Sequence, residues 1–233
     1  MDAWLAGACF SEPVVRLYTM PVSITLGYRQ KPEEEVLPKA CELFGVQLSR
    51  RISGGKALLH DLGLTWSIAL PRKSLPGPVK ESFRSLCEPV LAGLQEFCPE
   101  LTLGCLGAQN SGLKACMLEQ GESEAFLLHG KKVAGAAQRR TRDMILQHGE
   151  IRISSGSLAR PWELFVGLDS RDGADIWNSR TTSLGLSVEE IPGIKEAILH
   201  RIGQRFGTLR TLFPTAEDQA RIEEFKSALT VSF

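Results

Sequence analysis

Two extended runs, 124–128 and 131–137, meet across His129-Gly130, and this junction limits the fold more than any other stretch of the 233-residue chain. Glycine supplies the positive φ that a two-residue hairpin needs, so the runs are predicted to be antiparallel neighbours. Residues 144–153 extend the same sheet. Upstream, 14–18 and 22–26 are short β-branched runs divided by Met20-Pro21 and read as a strand pair with a tight connection, while 46–51 and 64–70 read as further strands.

Helices are predicted between these strands. Pro32 followed by Glu33, Glu34 and Glu35 marks a helix start whose apolar side runs through Val36, Leu37, Ala40, Cys41 and Phe44 to a stop at Gly45, with Pro38 working against it. After the breaker Leu75-Pro76-Gly77-Pro78, apolar residues recur at spacings of three and four from Val79 to Phe97; Pro89 inside this helix predicts a kink or break near Cys87. Residues 188–206 and 215–229 have helical spacing, and Thr215 with Asp218 forms a capping arrangement for the second. The expectation is an α/β (α+β) chain with a mixed, largely antiparallel sheet flanked by helices. It is read as a single domain over 1–233 with a mostly helical part at 188–233, and 154–157 is the one candidate linker.

Charge narrows the functional classes. Twenty-seven basic residues balance twenty-seven acidic ones, so nothing in the overall field favours nucleic acid or an anionic membrane as partner. No apolar run is long enough to span a bilayer, and Met1-Asp2-Ala3-Trp4 lacks the charged-then-apolar layout of a secretory signal, which predicts a cytoplasmic protein. The six cysteines include no C-x-x-C pair, and the histidines add no ligand spacing. Free thiols and no metal are expected.

Three segments carry candidate chemistry. In Arg50-Arg51-Ile52-Ser53-Gly54-Gly55-Lys56-Ala57-Leu58-Leu59-His60-Asp61, paired glycines let backbone approach a ligand closely and the arginines are placed to hold an anion. A P-loop is excluded, because Arg50 and Ala57 stand where its first glycine and its Ser/Thr are required. In Gly130-Lys131-Lys132-Val133-Ala134-Gly135-Ala136-Ala137-Gln138, the two lysines point to opposite faces of a strand, so only one can enter a pocket; a solvated hairpin is the competing reading. The third is Ala115-Cys116-Met117, with Leu146-Gln147-His148-Gly149 further on.

Together these segments resemble the lipoate-protein ligase and octanoyltransferase family, relatives of biotin-protein ligases. The pattern R-R-x-S/T-G-G-x-A-x-x-H-D matches Arg50 to Asp61, G-K-K-V-A-G-x-A-Q matches Gly130 to Gln138, and L-Q-H-G matches Leu146 to Gly149. The resemblance runs from about Arg16 to Ile153 and weakens beyond. Met1-Asp2-Ala3-Trp4-Leu5 looks like the family's early helix begun almost at its motif, so a leading strand is expected to be absent.

The resemblance implies a biotin/lipoate ligase catalytic-domain fold and, most closely, a cysteine-dependent octanoyltransferase acting in lipoate biosynthesis. Cys116 then matches the nucleophile, with Met117 where Phe is usual, and Lys132 is the cation that lowers the thiol pKa and polarises the acyl carbonyl. His148 and His60 are candidates for proton transfer or positioning, against a packed structural role. Arg51, Ser53, Gly54, Gly55, Gly135 and Ala136 are expected to border the substrate, with the glycines leaving room for an apolar tunnel. The implied donor is octanoyl-phosphopantetheine on acyl carrier protein, and the implied acceptor is a lysine of a lipoyl domain or glycine-cleavage H protein. No resident cofactor is implied. Arg139, Arg140 and Arg142 form a local basic patch that could steer acidic partners if it flanks the tunnel mouth. Two alternatives stay open: an ATP-dependent lipoate-protein ligase with Cys116 a bystander, and a non-catalytic acyl-protein binding module.

Overall fold

The computed structural model describes residues 1–105, 112–118, 125–169, 171–209 and 212–231. In chain order the elements are α1 (Asp2–Gly7), β1 (Val14–Tyr18), β2 (Ser23–Leu26), α2 (Pro32–Glu35), α3 (Pro38–Leu43), β3 (Gln47–Arg50), β4 (Leu58–His60), β5 (Leu64–Pro71) and α4 (Val79–Leu94). There follow β6 (Thr102–Gly104), β7 (Ala125–Leu128), β8 (Lys131–Arg140), β9 (Met144–Ile151), α5 (Gly173–Arg180), α6 (Ile191–Phe206) and α7 (Ala216–Leu229). Six strands form an antiparallel sheet in the order β1-β5-β9-β8-β7-β6, and three form a smaller mixed sheet, β3-β2-β4. The expected α/β class with a largely antiparallel sheet is therefore present.

The hairpin lies where the sequence puts it. His129 and Gly130 both take positive φ, +50° and +75°, as a type I′ turn requires. Its first strand begins at Ala125; Glu124 lies outside the described residues. Leu127 pairs with Lys132 but Phe126 with Ala134, so Val133 is an extra residue on β8. This bulge turns the strand's alternation by one step. Val133 and Ala134 both enter the core, and Lys132 and Gly135 both reach the opposite face.

Period-two alternation builds two unlike faces on the central strands. On β5, Leu64, Trp66, Ile68 and Leu70 are buried beneath α4 and α6, while Thr65, Ser67 and Ala69 occupy the other side. Both faces are covered, so every residue of β5 is buried. Gly93 permits close approach of α4 and α6: a β-carbon there would stand 2.6 Å from the Ile198 backbone.

Several boundaries depart from the sequence reading. β1 and β2 do not pair; β1 joins β5, and β2 crosses to the smaller sheet, where Ile24 and Leu26 are buried with Val36, Leu48 and Phe165. The 32–44 helix splits in two, because Pro38 disfavours helical backbone at Leu37, which is extended (φ −95°, ψ 107°). Conversely, α4 passes through Pro89 without a break. Proline inside a helix costs about 3 kcal/mol, and burial of Leu86, Val90 and Leu94 on the sheet, at roughly 1.5–3 kcal/mol each, offsets it. Segment 154–157 is no loose linker either: the Asp61 carboxylate accepts hydrogen bonds from the Ser157 and Leu158 amides and the Ser157 hydroxyl at 2.7–3.0 Å.

Candidate active site

The polar face of the six-stranded sheet looks onto a cavity of about 750 Å³, closed by α1, the β3–β4 segment and α7. This volume falls in the range of small-molecule sites. Arg51, Gly55, His60, Cys116, Lys132, Gly135, Ala136 and His148 all line it, although they come from four separate stretches of chain. Ser53 and Gly54, also expected at the substrate, are not among the lining residues. Ser53 is fully buried behind His148, and Gly54 presents its carbonyl oxygen to Arg51.

Cys116 opens a short 3-10 turn, Cys116–Leu118, which is pinned at its start: the Cys116 amide donates to the Ala57 carbonyl at 2.7 Å. Met117 and Leu118 turn into the protein, while Cys116 stays partly exposed at the cavity wall. Lys132 is 8% exposed, and its Nζ donates to the Cys116 carbonyl oxygen at 2.9 Å. A β-carbon on Gly135 would lie 3.1 Å from Cys116 Sγ and 3.8 Å from Lys132 Cε, which places sulfur and lysine side by side over the glycine. Lys131 goes elsewhere, donating to the Asn178 carbonyl at 2.7 Å.

A second cation stands near the sulfur. Arg51 lines the same cavity as Cys116; burial lowers its pKa from the ordinary value, and Cys116 acts in the opposite direction. The Arg51 guanidinium donates to the carbonyls of Thr25, Gly54 and Lys56, and Arg50 donates to those of Gly27, Tyr28 and Gln30. Of the two arginines expected to clamp an anion, Arg51 therefore spends most of its donors holding the Gly54-Gly55 loop in shape, and Arg50 braces the turn at residues 27–30.

Both histidines are engaged at both ring nitrogens. His148 Nε2 pairs with Ser53 Oγ at 2.6 Å and Nδ1 with Asp2 Oδ2 at 2.9 Å. His60 Nε2 pairs with Thr25 Oγ1 and Nδ1 with Glu150 Oε2, each at 3.0 Å; Thr65 also donates to Glu150. Burial would raise the Asp2 carboxyl, but the His148 hydrogen bond and charge, with Arg16 beside it, outweigh that and bring it down to about 2. The packed, positioning role fits this geometry better than proton transfer to substrate.

Sequence reasoning missed three contributors. Asp2 accepts from Arg16, Tyr18, Ser67 and His148, yet nothing local marks it as a hub. Glu150 is hidden inside an apolar strand. The third is α7, whose Ile222, Phe225 and Leu229 line the cavity; their i, i+3, i+7 spacing was the available signal. By contrast, the arginine patch lies away from the cavity. Arg140 and Arg142 border a different groove, and Arg140 donates to the carbonyls of Gly77 and Pro78.

The sequence model of the lipoyl protein ligase A/B catalytic domain matches residues 1–184. The chain belongs to this family. Among curated relatives, octanoyltransferase LipM of Carboxydothermus hydrogenoformans is 39% identical over 144 residues, covering 60% of this chain and 53% of the relative. LipM of Staphylococcus aureus is 30% identical over 149 residues, covering 60% and 54%. The chain thus spans about half the length of the curated relatives it matches. Among solved structures, a putative lipoate protein ligase from T. acidophilum with bound lipoic acid superposes with a TM-score of 0.77 at 20% identity, covering 97% of this chain and 87% of that one. LipL1 of P. falciparum in complex with lipoate gives 0.61 at 19%, covering 84% and 51%. These likenesses show that the fold is that of the lipoyl ligase catalytic domain.

Proposed function

We propose that the protein is an octanoyltransferase of lipoate biosynthesis, working through a thioester on Cys116. The observation that carries this reading is the placement of Cys116 Sγ on the wall of the cavity, beside Lys132 and above Gly135, with Arg51 lining the same cavity. The similarity to LipM enzymes supports the reaction class.

In the first step, the Cys116 thiolate attacks the thioester carbonyl of octanoyl-phosphopantetheine on acyl carrier protein. A carbon–sulfur bond forms to Cys116, the phosphopantetheine thiolate leaves and takes up a proton, and one thioester replaces another at little free-energy cost. The thiolate is the attacking form of a cysteine. Lys132 has three donors and spends one on the Cys116 carbonyl, leaving others for the acyl oxygen as negative charge develops there.

In the second step, the neutral amine of a lysine on a lipoyl domain or glycine-cleavage H protein attacks the Cys116 thioester. An amide forms, the carbon–sulfur bond breaks, and the proton shed by the amine ends on the departing sulfur. Burying the ~7 alkyl carbons of the chain, at roughly 0.8 kcal/mol each, supplies about 5 kcal/mol for holding the acyl group in the cavity. His60 and His148 position the walls, and Ser53 and Gly54 shape the loop behind them. We read residues 1–233 as one catalytic domain, with α6 packed on α4 and α7 on α1.

The reading is tested by incubating the protein with octanoyl-acyl carrier protein and a lipoyl domain in the absence of nucleotide. Octanoylated lipoyl domain is the expected product. Product that appears only with ATP, accompanied by lipoate-dependent pyrophosphate exchange, would replace this reading with the ligase one. No product under either condition would leave a binding module.

A further inference from the structure

One wall of the cavity lies outside the residues that the family model matches. Helix α7 follows residue 184 by some thirty positions, and it contributes Ile222, Phe225, Lys226 and Leu229 to the lining. Along this helix Ile222, Phe225 and Leu229 are half-buried, while Arg221, Glu223, Glu224 and Lys226 are exposed. The apolar stripe thus faces inward. Ile222 and Phe225 pack against the cluster of Trp4, Leu5, Ala6, Ala69, Met144 and Leu146.

The helix is fixed over the cavity from both ends. Thr215 and Asp218 cap its first turn reciprocally, and Trp4 Nε1 donates to Asp218 Oδ1 at 3.1 Å. Beyond its last turn, Thr230 bridges to Ser49, and the Val231 amide donates to the Leu48 carbonyl at 3.4 Å. Its position relative to the sulfur follows from the strand register. Gly135 underlies Cys116 Sγ, whereas Leu146, a member of the cluster against which Phe225 packs, pairs with Arg139 four residues further along β8. Four residues of strand cover about 13 Å. An acyl chain bound to Cys116 and running along β8 therefore heads towards the α1–α7 cluster.

We propose that Phe225, with Ile222 beside it, is the specificity-determining wall that sets the length of the acyl chain the cavity accepts. This rests on Cys116 carrying the acyl group. A bulky ring at the end of an apolar slot excludes additional methylenes by overlap, and one methylene in such a slot changes discrimination by about tenfold or more. Residues 216–229 are then part of the specificity machinery.

The test uses the full chain and a series of carrier-protein thioesters from butanoyl to dodecanoyl, with the rate of Cys116 acylation read by intact mass. Wild-type protein is expected to favour octanoyl. Phe225→Ala and the milder Phe225→Leu are expected to raise the dodecanoyl-to-octanoyl rate ratio by about tenfold, and Phe225→Trp to shift the preference to hexanoyl. Glu224→Ala, on the exposed side, should leave the profile unchanged. Should Phe225→Ala not fold, Phe225→Leu and Ile222→Ala give the same readout. If wild-type Cys116 is acylated but none of these variants alters the length profile, the inference about α7 is overturned and the acyl-transfer reading stands. If wild-type Cys116 takes no acyl group, both fall.

Discussion

The ammonium of Lys132 donates to the carbonyl oxygen of Cys116 at 2.9 Å, across sixteen residues of sequence. The contact fixes the turn that presents the thiol and holds a positive charge beside it. Removing one preorganised donor from a developing oxyanion costs about 10²–10³ in rate. Lys132→Ala is therefore expected to slow acylation of Cys116 by at least about a hundredfold in single-turnover measurements, with a melting temperature within a few degrees of wild type. An unchanged rate would remove Lys132 from the chemistry.

Two neighbouring glycines, Gly135 on β8 and Gly149 on β9, should separate function from stability. A β-carbon on Gly135 meets Cys116 Sγ at 3.1 Å, whereas one on Gly149 meets the Gly135 carbonyl oxygen at 2.5 Å and Trp66 Nε1 at 2.9 Å. Gly135→Ala is expected to displace the thiol and depress acylation while the fold holds. Gly149→Ala strikes backbone and is expected to cost about 1–3 kcal/mol in urea unfolding.

Acid titration should report Asp2. Its carboxyl, held at about 2 rather than the ordinary 3.8, contributes stability that is fully present above the ordinary value and is lost as pH falls from about 4 through 2. The difference corresponds to about 2 kcal/mol. Unfolding measured across this window should show the loss in wild type and a much shallower one in Asp2→Asn.

His148 has both ring nitrogens occupied, by Ser53 and Asp2, which is the geometry of a positioning role. His148→Ala leaves Asp2 and Ser53 without their shared partner, and is expected to destabilise the protein by about 1–3 kcal/mol. The pH profile of acyl transfer should keep its shape. A profile that loses a limb in this variant would assign His148 to proton transfer instead.

The hairpin, the long helix α4 and the Cys116–Lys132 pairing were legible because each rests on local signals: turn glycine, apolar spacing, and ordered motifs. What the sequence concealed is long-range. The bulge at Val133 that turns Lys132 and Gly135 to one face depends on pairing with Phe126 and Leu127. Asp2 acquires its role only when α1 packs beside β5 and β9. Pro38 and Pro89 illustrate how context decides: the first opens α3 and keeps it separate from α2, and the second is carried inside a helix whose one side is buried along its length.

The most direct measurement is intact and peptide-level mass of the protein after brief exposure to octanoyl-acyl carrier protein, followed by addition of a lipoyl domain. The account predicts one octanoyl group on Cys116, discharged when the acceptor arrives and missing in Cys116→Ala. Octanoylated acceptor formed at wild-type rate by Cys116→Ala, or an adduct on a different residue, would contradict it.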